Sequence, residues 1–128
     1  MTFALTDNLL NQVFEALENQ DSSFVVDAGK GCLVNEKSVC VDEENFYRIP
    51  EWSSLDGYNL RADFVSSLHN SELRLSLQNI LHSGRGVFKS FKEQLKENPV
   101  YEKRWHIFKY NKMNAYVRNW YNSLLEVW

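Results

Sequence analysis

The chain has 128 residues, 44% of them apolar and 24% charged, with a formal net charge of −3. That balance excludes an intrinsically disordered chain, and the length suits one domain, residues 1–128, folded around one core. No apolar run approaches the roughly 18 residues that cross a bilayer, so no membrane partner is expected, and the near-neutral total gives little long-range pull on nucleic acid.

The opening "MTFALTDNLL" has no basic start and no long apolar stretch, a poor signal peptide, which points to a cytoplasmic protein. Leu9, Leu10, Val13, Phe14 and Leu17 fall on one helical face, with Thr6 or Asp7 as N-cap, and "NQDSS" ends that helix. The stretch "FVVDAGKGCLVN" carries two short β-branched runs around a Gly-rich turn at residues 29–31, a hairpin signal. A further strand is expected over residues 46–49, where Pro50 ends the pairing by removing a donor. Asp42, Glu43 and Glu44 lie in the connecting stretch and read as a solvated loop.

Beyond Trp52 the periodicity is helical. Ser53 and Asp56 have the spacing of a capping box ahead of a helix reaching about Leu68. Asn70 or Ser71 caps the next, whose Leu73, Leu77, Ile80 and Leu81 face inward, and Gly84 suits a left-handed C′ position after it. A helix over residues 86–97 is stopped by Asn98-Pro99. The last begins near Tyr101 with Trp105, Phe108, Met113, Tyr116, Val117, Trp120 and Leu124 on its apolar side. Strands early and helices late predict an α+β fold: a small antiparallel sheet of two or three strands near the N-terminus, packed with about five α-helices.

"SGRGVFKSFK", residues 83–92, combines glycine punctuation with two adjacent stripes. At 100° per residue Phe88, Phe91 and Leu95 form one, expected in the core, and Arg85, Lys89, Lys92 and Lys96 form the other. The basic stripe has three readings: a solvated face with lysine stems over the core edge, a surface for an acidic protein (or for this chain's own acidic half), or a nucleic-acid contact. The last draws on the aromatics among the cations of "YEKRWHIFKYNKMNAYVRNWY", although several of these share a face and suit a core. Charge is also segregated: residues 1–64 hold 12 Asp and Glu against 4 Lys and Arg, and residues 65–128 hold 5 against 10. Whether Lys109 and Arg118 join the stripe is a question for the tertiary structure.

Arg85 and the amide of Gly86 are the candidate contact for a small anion, since free N–H groups at a helix start attract negative charge. The segment follows a helix rather than a strand and is too short for a phosphate-binding Walker loop. The plainer reading is structural punctuation, with Arg85 bonding the open carbonyls of the preceding helix or an inward carboxylate.

"GRGVFKSFK", followed by Trp105-x-x-Phe108 and later by Trp120, resembles an uncharacterised bacterial protein family, UPF family zero-one-five-eight. The likeness extends to "IPEWSSLDGYNLRADF" and, more weakly, to "LNQVFEALENQDSSFVVDAGKGCLV"; the "GCLVNEKSVCV" stretch and the apolar end "LLEVW" depart from it. The resemblance implies one bacterial domain of about this length and brings no known activity.

Chemistry-bearing residues are scattered. His69, His82 and His106 lie in different segments, with no pair at the spacing of a helical metal site. Cys32 and Cys40 are too far apart for a zinc knuckle and read as reduced, buried thiols. Asp56 and Asp63 share a helix face, where capping explains Asp56 better than acid–base catalysis does. The expectation is therefore no catalytic residue, metal or cofactor, and a non-enzymatic binding module that contacts another protein through Arg85, Lys89, Lys92 and Lys96. Nucleic-acid binding through the C-terminal helices is the alternative. Trp128 suits burial against the core or against a second copy in a homodimer.

Overall fold

The computed structural model of the protein describes residues 3–18, 23–39 and 45–126. It is an α+β fold with five helices and one three-stranded antiparallel sheet among these residues: α1 (Asp7–Glu18), β1 (Phe24–Asp27), β2 (Cys32–Asn35), β3 (Phe46–Arg48), α2 (Ser54–Ser66), α3 (Ser71–Leu81), α4 (Val87–Lys96) and α5 (Pro99–Glu126). The chain packs as two compact units, one of Met1–Trp52 with Met113–Trp128, the other of Ser53–Lys112. The division falls inside α5.

In the first unit, Thr6 starts α1, its Oγ1 accepting from the Leu9 amide at 3.2 Å. Leu9, Leu10, Val13 and Leu17 are buried as their spacing predicts, with Phe14 half-buried. The expected hairpin is present, pairing Phe24 with Asn35 and Val26 with Leu33. Its turn closes through the Gly31 amide on the Asp27 carbonyl at 2.8 Å, with Gly31 at a left-handed φ of 69°. The third strand ends at Arg48, just ahead of Pro50, and pairs with β1, giving the order β2-β1-β3. Val25 and Val26 point to opposite faces of the central strand and both are fully buried. Outside the sheet, the Gln12 Oε1 accepts from the Leu33 amide at 2.9 Å, satisfying a donor on edge strand β2. A short 3-10 turn over Glu36–Ser38, capped by Asn35, follows β2 and has no counterpart in the sequence reading.

Aromatic side chains close this unit. Phe3 is buried against the rings of Tyr47, Trp120 and Tyr121. Three polar tips reach backbone carbonyls: Tyr121 donates to Phe3, Tyr116 to Glu51, and Trp120 Nε1 to Arg48 at 3.1 Å. Residues 19–22, the acidic cluster Asp42–Glu43–Glu44, Cys40 and Trp128 lie outside the described residues.

The second unit is helical. Ser53 and Asp56 make the predicted capping box: Asp56 Oδ2 accepts from the Ser53 amide at 2.7 Å, and the Asp56 amide donates to Ser53 Oγ at 3.2 Å. Asn70 caps α3, whose Leu73, Leu77 and Leu81 are buried, with Ile80 half-buried. Helix α2 packs on α3 and α3 on α4. The core joins Phe64 and Phe91 to Trp105, their ring centroids 5.3 and 5.2 Å from that of the tryptophan. Pro99 begins α5 two residues earlier than the sequence reading places its start, because a proline suits the first helical position, where no amide donor is needed. Trp105 and Val117, both buried, stand twelve residues apart, about 120° around an ideal helix, so α5 does not keep the single apolar stripe expected of it.

Candidate binding surface

Two left-handed glycines set the approach to α4. Gly84 has φ 79° and Gly86 φ 54°, and a Cβ on either would meet nothing within 4 Å. Backbone conformation, rather than space, therefore calls for glycine, and an L side chain there costs about 1–2 kcal/mol. His82 is the C-cap of α3, so Gly84 lies one residue beyond the C′ position expected of it. Gly86 is the N-cap of α4 and, having no side chain, offers its first-turn amides no cap.

Lys89, Lys92 and Lys96 are all exposed along α4, on the face beside Phe91 and Leu95, each 1% exposed. The helix begins at Val87, so helical spacing aligns the three lysines but not Arg85, whose place is set by the glycine turn. Arg85 is exposed, and it does not bond the carbonyls ending α3 as expected. Ser83 has taken that role, with its amide at 3.1 Å and its Oγ at 2.7 Å from the Ile80 carbonyl. Among the described residues the side chains of Arg85, Lys89, Lys92 and Lys96 make no hydrogen bond or ion pair. Their charge is left for solvent or for a partner.

Phe88 corrects the stripe expected of the core. It is 39% exposed, whereas Phe91 beside it is enclosed. Its ring lies under the Arg61 guanidinium, 3.9 Å from centroid to Cζ, and against Gly57 of α2. A Cβ on Gly57 would come within 3.1 Å of Phe88 Cζ and 3.3 Å of Arg61 Nη1, which explains a buried glycine in the first turn of α2. Arg61 is held by donating Nη1 to the Gly57 carbonyl at 2.9 Å, and it also faces the Phe91 and Trp105 rings. Sequence reasoning missed this arginine. Gly57 and Arg61, four apart on one helix, were the available signal, but the ring between them comes from another helix.

Lys109 is half-buried on α5. Arg118 belongs to the other unit and donates Nε to Asn114 Oδ1 at 3.0 Å. Of the aromatics considered for base stacking, Trp105 is buried and Phe108, Tyr116 and Trp120 are half-buried, the last two spending their polar tips on carbonyls. His69, His82 and His106 are exposed, and no three His, Cys, Asp or Glu side chains cluster as metal ligands among the described residues. Cys32 is free and half-buried rather than buried. Asp63 is exposed, and Asp56 is engaged in its cap. No described helix is long and apolar enough to cross a membrane.

Charge follows the packing. The helical unit holds ten Lys and Arg against six Asp and Glu, a balance of +4, and the sheet-bearing unit four against eleven, a balance of −7. No family model matches the chain, and no curated protein and no solved structure matches it either.

Proposed function

We propose that this protein is a non-enzymatic binding module whose α4 face recognises an acidic surface on another protein. The observation that carries the reading is the row Lys89, Lys92 and Lys96, with Arg85 at its head: four exposed cations without an internal counter-ion among the described residues. Three of them stand on a helix whose neighbouring face is locked into a core, so they are presented at fixed spacing. Such a row attracts carboxylates, raises the rate of encounter and weakens with salt. A protein partner is favoured over nucleic acid because Trp105 is buried and Phe108, Tyr116 and Trp120 are half-buried, which leaves few of the aromatics beside the cations as a platform for stacked bases. The bacterial setting of this reading rests on the family resemblance, and the cytoplasmic one on the reading of Cys32 and Cys40 as reduced thiols.

Pull-down from bacterial lysate with wild type and with a Lys89→Glu/Lys92→Glu/Lys96→Glu variant tests it. A protein retained by wild type and lost by the variant is the expected result. Identical recovery by both overturns the reading. Retention on RNA at about 50 mM salt, falling steeply as salt rises, replaces it with the nucleic-acid alternative.

A further inference from the structure

Among the described residues β2 and β3 are the edges of the sheet, and β2 lacks the protections an edge usually has in its own sequence. It reads Cys-Leu-Val-Asn, with no charge and no proline to discourage a further strand, and Cys32, Leu33 and Val34 are half-buried. Alternate residues of an antiparallel strand turn their backbone groups outward. The Leu33 amide is one such group, and Gln12 Oε1 of α1 accepts from it at 2.9 Å. Two residues on, the Asn35 carbonyl accepts from Ser38 Oγ at 2.8 Å, and the 3-10 turn ends the strand. The other edge carries its own protection. β3 is three residues long and ends on a charge, Arg48, whose carbonyl accepts from Trp120 Nε1 at 3.1 Å. Pro50, two residues further, has no amide to offer.

On the β2 edge, then, the protection comes from another element. Gln12 stands 21 residues from Leu33 in sequence, on a helix that packs against the strand. We propose that Gln12 bars the β2 edge to strand addition, its side-chain oxygen standing where the carbonyl of an incoming strand would. A strand arriving there must displace Gln12 or leave one of its own carbonyls unpaired, and an unpaired group withdrawn from water is costly. The strand barred is β2 of a second copy. An antiparallel β2–β2 pair repeats the same contacts about a two-fold axis, and with no charge in either strand nothing in the pair repels. The device is separate from the α4 row and stands without it.

Two substitutions in the full chain separate the acceptor from the bulk of the side chain. Gln12→Leu keeps a similar volume and removes the oxygen, whereas Gln12→Glu keeps an acceptor oxygen at the same reach. Light scattering behind size exclusion follows mass at about 0.1–1 mM, a range in which unpaired strand edges associate. Gln12→Leu is expected to rise to at least about twice the wild-type mass, as pairing of two copies requires, and Gln12→Glu to stay with wild type. Amide exchange read by NMR locates the contact. In dilute Gln12→Leu the Leu33 amide should exchange about threefold or more faster than in wild type, and it should become protected as the chain associates. Far-UV circular dichroism checks folding, and Gln12→Ala, which cannot overpack the site, repeats the test if the leucine variant unfolds. Association equal in Gln12→Glu overturns the proposal, as does wild-type mass in the folded Leu or Ala variant. Association that leaves the Leu33 amide exchanging at its dilute rate also overturns it, because the contact would then lie elsewhere.

Discussion

The two units hold their aromatic side chains by different means. In the sheet-bearing unit Tyr116, Trp120 and Tyr121 pack rings and also donate to the carbonyls of Glu51, Arg48 and Phe3. In the helical unit Phe64 and Phe91 each meet Trp105 ring to ring, and the cation of Arg61 covers Phe88, which the core leaves exposed. The first arrangement orients the chain as it buries area, because a donor aimed at a carbonyl tolerates few geometries. The second relies on burial and shape, so its cost of truncation should follow how completely each ring is enclosed.

Truncating Phe91 to Ala is the severest case. It should cost about 3–5 kcal/mol by removing an enclosed ring from the junction of α2, α4 and α5, and urea unfolding measures it. Phe88→Ala should cost about 1–2 kcal/mol, since its ring is partly in water and loses a cation contact with partial burial. Equal losses at the two positions would break the distinction between enclosed and cation-covered rings. In the other unit Tyr121→Phe keeps the ring and deletes one donor, so about 0.5–1.5 kcal/mol is expected. A loss as large as that of Phe91 would mean that the carbonyl contact, rather than the ring, holds Phe3 in place.

Local signals were readable to within a residue or two. Thr6, the Ser53–Asp56 box and Asn70 start helices because a short polar side chain satisfies free amides within its own turn, which needs no distant partner. The hairpin was legible for the same reason, its glycine and its β-branched runs being neighbours in sequence. The lysine row of α4 followed from periodicity, and all three lysines are exposed. Periodicity failed where the neighbour mattered. Phe88 belongs to the apolar stripe by angle, yet at the first turn of α4 it meets Gly57 and Arg61 instead of the ring cluster.

By itself the sequence determined the kinds of elements, their caps and turns, and the sidedness of α4, since each depends on side chains within a few residues of one another. Tertiary structure alone decided that α5 buries Trp105 and Val117 on different faces, that Ile107 and Tyr110 stay in solvent, and that an arginine on α2 covers a phenylalanine on α4. Helical spacing states which side chains point the same way. Only packing states what, if anything, stands opposite them.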